Sequence, residues 1–128
     1  MDYQTEMKDS LEYIEKNLED VISLEQLAEK ANLSKYYYHR IFHKTVGESV
    51  TKYISRRRMQ EASKELIKTN RSIIDIALKY QYGSQEAFSR AFQRMYGMTP
   101  GRYRKINGSR NHVLNITAYH AQSMNLAA

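Results

Sequence analysis

Ser23–Tyr53, SLEQLAEKANLSKYYYHRIFHKTVGESVTKY, and Ser72–Tyr103, SIIDIALKYQYGSQEAFSRAFQRMYGMTPGRY, are two copies of one unit. At an offset of 49 residues Ser23 matches Ser72, Ala28 matches Ala77 and Lys30 matches Lys79. One inserted residue takes the offset to 50, where Ser34/Ser84, Arg40/Arg90, Phe42/Phe92, Gly47/Gly97 and Tyr53/Tyr103 coincide. Similar pairs such as Leu27/Ile76, Leu33/Tyr82 and Ser49/Thr99 fill the spaces. Eight identities in order with a single gap mark an internal repeat.

Each copy reads as two short helices. Ser23 with Gln26, and Ser72 with Asp75, are spaced so that the hydroxyl accepts from an orphan backbone N–H while the second side chain reaches back. Leu24, Leu27 and Ala28, and in the other copy Ile73, Ile76 and Ala77, then give one apolar face that ends near Asn32 and Gln81. After a turn, Ser34 and Ser84 can cap second helices whose apolar positions are Tyr38, Ile41 and Phe42, and Phe88, Ala91 and Phe92. Gly47 and Gly97 stand where these helices should stop. A short helix, a tight turn and a second helix with one wet face make a helix-turn-helix, whose second helix enters the DNA major groove.

Outward from the repeat, Ser49 to Thr69 lacks Gly and Pro and spaces Val50, Tyr53, Ile54, Ala62 and Leu66 at helical intervals, predicting one long connecting helix. Leu11, Ile14 and Leu18 predict an amphipathic N-terminal helix, and Pro100 opens a short closing helix through Tyr103. The expectation is an all-α chain of about seven helices. It comprises an N-terminal helix and first helix-turn-helix subdomain at 1–54, a connecting helix at 49–69 and a second subdomain at 70–106. The tail at 107–128, with partial alternation through Val113, Ile116 and Ala118, is open between a strand and a poorly ordered segment.

Composition agrees. The chain has 128 residues, 41% hydrophobic, with 20 Lys+Arg against 14 Asp+Glu and a net charge of +6. This fits a folded soluble domain, and five Gly with one Pro disfavour a turn-rich β-sandwich. Residues 1–22 carry a net −5, so the remainder carries +11, a body that attracts polyanions. No Cys is present, which removes disulfides and thiolate chemistry. No apolar run is long enough to span a membrane and the mixed, acidic N-terminus is unlike a signal peptide, so a cytoplasmic location is expected. Asn107-Gly-Ser and Asn115-Ile-Thr match the glycosylation pattern, which a cytoplasmic protein does not use.

Subtracting the core positions leaves Lys35, Tyr36, His39, Arg40 and His43 on the wet face of the first second-helix, and Gln85, Glu86, Ser89, Arg90 and Gln93 at the equivalent places. Arg can bond bidentately to guanine, Gln to adenine, Glu accepts from cytosine, and a Tyr ring touches the thymine methyl. Salt-bridged arginines on a solvated surface are the bland alternative, and the recurrence of Arg at equivalent repeat positions favours DNA. Phosphate contacts are expected from Ser34, Lys35, Lys44, Ser84, Arg94, Arg102 and Lys105. His39 and His43 have the i, i+4 spacing of a metal pair but no further ligand, so wet-face histidines are preferred and no metal is expected. Tyr36, Tyr37 and Tyr38 could stack on single strands, yet Tyr38 is in register with the apolar Phe88. Arg56, Arg57 and Arg58 could reach phosphate, with a solvated face equally open for two of them. No catalytic set or phosphate loop appears, so neither an enzyme nor a cofactor is expected.

These residues resemble the DNA-binding domain of the AraC-type transcription regulators over about Ser10 to Lys105, most closely in IIDIALKYQYGSQEAFSRAFQRMYGMTPGRYR. The Ser-Gln, Phe-Ser-Arg-x-Phe and Thr-Pro-x-x-Tyr-Arg elements carry the likeness, and the chain is similar to the small stand-alone members. The resemblance implies a monomeric activator that joins two helix-turn-helix subdomains by a rigid helix, binds double-stranded DNA and contacts RNA polymerase. It places base reading on Tyr36, His39 and Arg40, and on Gln85, Glu86, Ser89 and Arg90. The rival is an architectural binder with little sequence preference. Where the family usually has Gly at the turn of each unit this chain has Asn32 and Gln81, and Gly83 is expected to take part of the strain that Gln would suffer there. Tyr36 and His39 stand where small relatives often have Trp and Gln, so the resemblance carries no target DNA sequence.

Overall fold

The computed structural model describes residues 2–108. Its helices are α1 (Gln4–Lys16), α2 (Leu24–Lys30), α3 (Lys35–Val46), α4 (Val50–Lys68), α5 (Ile73–Lys79), α6 (Gln85–Tyr96) and α7 (Pro100–Tyr103). A π-helical turn, Arg104–Gly108, continues from α7. Among the described residues there are seven α-helices and no strand, which gives the all-α class expected. The open choice of strand or tail for 107–128 lies outside the described residues from Ser109 onward. The described residues divide into two compact units, 2–61 with 79–81, and 62–78 with 82–108.

Every expected serine and glycine cap is present, but the return bonds expected from the Gln26 and Asp75 side chains are not formed among the described residues. Ser23 Oγ accepts from Gln26 N at 3.3 Å and Ser72 Oγ from Asp75 N at 3.2 Å. The Ser23 hydroxyl itself donates to Glu25 at 3.1 Å. Ser34 and Ser84 accept from Tyr37 N and Ala87 N, each at 3.1 Å. Gly47 and Gly97 close α3 and α6 with φ of 94° and 76°, a left-handed conformation that a Cβ would strain. Ser49 Oγ accepts from Lys52 N at 3.1 Å as α4 starts, and Thr99 Oγ1 from Arg102 N at 3.3 Å ahead of Pro100.

In the first unit Met7, Ile14, Leu27, Ala28, Tyr38, Phe42, Val50 and Ile54 form the buried core, and Leu18 joins it from the turn beyond α1. Met7 and Ser10 are buried on α1 although the sequence reading assigned that face to Leu11, Ile14 and Leu18. The repeat is visible in the rings. Tyr38 and Phe42 lie 5.9 Å apart, as Phe88 and Phe92 lie 5.8 Å apart in the second unit. Phe42 meets Tyr53 edge-on at 5.8 Å, and Phe92 meets Tyr103 edge-on at 5.2 Å. Each fully buried aromatic contributes roughly 1.5–3 kcal/mol by leaving water, so these pairs hold α3 and α6 on their supports.

The turns between helices follow one geometry. Asn32 (φ 57°) and Gln81 (φ 70°) are the two non-glycine residues with positive φ among those described. Beyond them, Leu33 N donates to Ala28 O at 2.9 Å and Tyr82 N to Ala77 O at 3.0 Å, the closure of a left-handed helix end. Gly83 does not share the load expected of it: only Gly47 and Gly97 among the glycines have positive φ. Gln81 takes the left-handed conformation itself, and its Nε2 donates to Glu19 O at 2.6 Å within the first unit. That hydrogen bond offsets a backbone cost on the order of 1–2 kcal/mol.

Candidate nucleic-acid interface

The core rings leave one face of α3 and one of α6 in water. On α3, Tyr36 is 70% exposed, Arg40 and His43 are exposed and His39 is half-buried. On α6, Gln85, Glu86, Arg90 and Gln93 are exposed and Ser89 is half-buried. All seven residues expected to read bases therefore lie on the faces turned from the core. Arg40 and Arg90 take part in no hydrogen bond or ion pair among the described residues, against the salt-bridge alternative. The Arg40 guanidinium carbon sits 5.9 Å from the centre of the Tyr36 ring. Tyr38 is fully buried, so Tyr36 and Tyr37 alone of the three tyrosines face outward.

Of the phosphate candidates, Lys44, Arg94, Arg102 and Lys105 are exposed, while Ser34 and Ser84 are occupied as caps by the N–H groups they accept. Lys35 Nζ lies 2.9 Å from Glu25 Oε1. The hydrogen bond from Lys35, with help from the Glu25 backbone and Ser23, holds the Glu25 carboxyl down at about 2. Lys52 is exposed and stands 50 residues before Arg102, at the same place after its serine or threonine cap. The sequence reading passed over this cation, although the repeat offset would have found it.

Arg56, Arg57 and Arg58 neither form a solvated face nor point freely at phosphate. Arg56 binds Glu48 through Nε at 2.9 Å and through its terminal nitrogen at 2.6 Å. Arg57 bonds Glu15 and Glu61 at 2.8 and 2.9 Å, and Glu15 first and then Glu61 hold its guanidinium above its usual range against the opposing effect of burial. Arg58 donates to the carbonyls of Leu18 and Asp20 at 2.8 and 2.6 Å. All these partners lie in the first unit: Arg57 and Arg58 fasten α4 to the acidic N-terminal segment, and Arg56 ties it to the turn before α4. Among the described residues no group of three or more His, Asp or Glu side chains is placed to hold a metal, and no helix is long and apolar enough to cross a membrane.

Residues 27–106 match the family model described as a helix-turn-helix domain. The chain is 46% identical over 104 residues to the uncharacterized HTH-type transcriptional regulator YbfP of Bacillus subtilis, an alignment covering 81% of this chain and 35% of YbfP. It is 42% identical over 104 residues to the HTH-type transcriptional activator AarP of Providencia stuartii, covering 81% of this chain and 77% of AarP. Among solved structures, a transcriptional regulator of Chromobacterium violaceum described by its AraC-type DNA-binding domain superposes with a TM-score of 0.73. Its identity is 25%, over 80% of this chain and 91% of that one. The duplicated capped motif, the two wet helix faces and these likenesses agree: the chain belongs to the AraC-type family of helix-turn-helix DNA-binding transcription regulators.

Proposed function

We propose that this chain is a cytoplasmic transcription activator that binds double-stranded DNA as a monomer and reads two adjacent major-groove segments. The observation that carries this reading is the pair Arg40 and Arg90. They occupy equivalent positions on equally capped helices, both are exposed, and neither is engaged by protein among the described residues. Their neighbours are unlike: Tyr36 and His39 accompany Arg40, while Gln85, Glu86 and Ser89 accompany Arg90. Two unlike helices on one chain call for a bipartite site without two-fold symmetry, in contrast to a homodimer that uses one helix twice. Lys44, Arg94, Arg102 and Lys105 supply phosphate contacts around them, with Ser34, Lys35 and Ser84 at the helix starts. AarP is named as an activator, which supports activation here, and contact with RNA polymerase is part of the proposal.

The test begins with duplexes selected from random DNA. Inserting about half a helical turn, ~5 bp, between the two half-sites rotates one groove segment to the far side of the duplex. α4 runs unbroken from Val50 to Lys68 between the two motifs, and the reading therefore expects little tolerance of that insertion. Affinity should fall towards the non-specific level, with one chain per duplex in sedimentation. Unchanged affinity, or two chains per site, refutes the bipartite monomer.

A further inference from the structure

The repeat gives α3 and α6 equivalent places, yet only α3 carries histidines. His39 and His43 stand on the wet face of α3, and their equivalents on α6 are Ser89 and Gln93. The two histidines line an open hollow of about 390 Å³ with Arg40 and Ser49. Among the described residues no carboxylate lines it. Of the charged and titratable groups brought to α3 by the rest of the first unit, Glu25 of α2 is bonded to Lys35, Glu48 beyond the C-terminus of α3 to Arg56, Tyr3 before α1 lies edge-on to Tyr37, and Tyr53 of α4 lies edge-on to Phe42 on the core side. On α3 itself the neighbours are Arg40, Lys44 and the Tyr36 ring. Free protein thus offers the imidazoles cations and hydroxyls, whereas a DNA phosphate or an acceptor edge of a base would be the anionic or electron-rich partner that favours their protonated form.

We propose that DNA recognition by the first helix-turn-helix is proton-linked through His39 and His43, and that protonation changes the base His39 prefers. This rests on the reading of α3 as a base-reading helix. Neutral imidazole offers one donor and one acceptor; imidazolium offers two donors and no acceptor. The two N–H groups of the protonated ring diverge, so one at a time can donate to O6 or N7 of guanine and neither nitrogen can accept; the neutral ring can still donate once but can also accept from the amino group of adenine or cytosine, so protonation shifts the preference towards guanine. His43, one turn on and in the last turn of α3, meets the negative end of the helix dipole, which also favours a cation there. The sign follows: a group whose pKa is raised in the complex binds a proton on association, so binding strengthens as pH falls and the gain vanishes as pH rises through the bound-state value. Affinity is therefore expected to rise several-fold between pH 8 and pH 6.

The experiment measures binding of the full chain to duplexes selected from random DNA separately at pH 6 and pH 8, at fixed ionic strength. Wild type and a His39→Gln/His43→Gln double variant are each titrated across that range. The expected result is a several-fold gain at low pH for wild type that is flattened in the double variant, and enrichment of guanine at one position of the first half-site only in the pH 6 selection. His112 and His120 remain in the double variant, so their titration cannot produce the difference. Equal pH slopes for wild type and double variant overturn the proposal while leaving DNA reading by α3 intact. Identical base preference at both pH values overturns the switch at His39. Selected duplexes whose first half-site tolerates any sequence at either pH would instead remove the reading of α3 on which the proposal stands.

Discussion

Arg40 and Arg90 are the residues on which specific recognition should depend most visibly. Each stands exposed with no hydrogen bond or ion pair to protein among the described residues, so truncation removes contacts to DNA without unbalancing a network in the fold. Arg40→Ala and Arg90→Ala are expected to lose about 1–3 kcal/mol of specific binding apiece, relaxing base preference at different positions of the site. Selection from random DNA with each variant checks this, and wild-type selectivity in both would remove α3 and α6 from base reading. Asn32 and Gln81 show the opposite dependence, on the backbone. Asn tolerates positive φ because its short side chain hydrogen-bonds locally, whereas Ala has no such compensation. Asn32→Ala should therefore destabilise the chain by about 1 kcal/mol and Asn32→Gly by less, as read from denaturant midpoints. A neutral Ala variant would show that the turn relaxes out of the left-handed region.

Helix starts decide how firmly the reading faces are presented. Ser34 and Ser84 each satisfy one orphan N–H, and replacing either by Ala should cost about 1 kcal/mol of stability. Thermal unfolding measures that loss, and an unchanged midpoint in both variants would mean that solvent caps these helices equally well. The ion pair between α2 and the start of α3 has its own pH signature. With Lys35 bonded to it, the Glu25 carboxyl titrates at about 2 against an ordinary 4.5. A depressed carboxylate stabilises the fold above its unfolded value, and that contribution disappears as pH falls from about 4.5 through about 2. Because the pair is open to water its worth is small. The titration midpoint is the better observable: in Lys35→Ala the Glu25 carboxyl, followed by NMR, should move up towards its ordinary value. A midpoint that stays near 2 would assign the shift to the helix start and Ser23.

At the scale of the whole chain, charge governs encounter with DNA. The net −5 of residues 1–22 and the +11 of the rest do not act as separate patches throughout, because Arg56, Arg57 and Arg58 spend their charge on Glu48, Glu15, Glu61 and backbone carbonyls. The cations proposed to meet phosphate, Lys44, Arg94, Arg102 and Lys105, are exposed. Several displaced counterions should still give a steep response, with log affinity falling against log salt at a slope of magnitude about 4 or more. A slope near zero would exclude phosphate as the main source of affinity. Replacing Arg56 to Arg58 by Gln should leave that slope almost unchanged while lowering stability.

The all-α class, the two helix-turn-helix units and most helix ends were legible in the sequence because they rest on local physics. Periodic apolar residues, a hydroxyl three residues ahead of an orphan N–H, and glycine after the last turn act over a few positions, and the repeat printed each signal twice. The connecting helix expected from Ser49 to Thr69 runs from Val50 to Lys68 for the same reason. The wet faces of α3 and α6 followed by subtraction once the core positions were known. Tertiary structure alone decided the fate of the arginine run, since Arg57 finds Glu15 across 42 residues and Arg58 finds Leu18 O across 40. It also decided that Gln81, not Gly83, would bear the left-handed turn, through a hydrogen bond to Glu19 across 62 residues. Arg104 likewise donates to the carbonyls of Leu66 and Thr69, 38 and 35 residues back. Charged and amide side chains are long and accept many partners, so the sequence states their chemistry, and only the folded backbone states which carboxylate or carbonyl comes within reach.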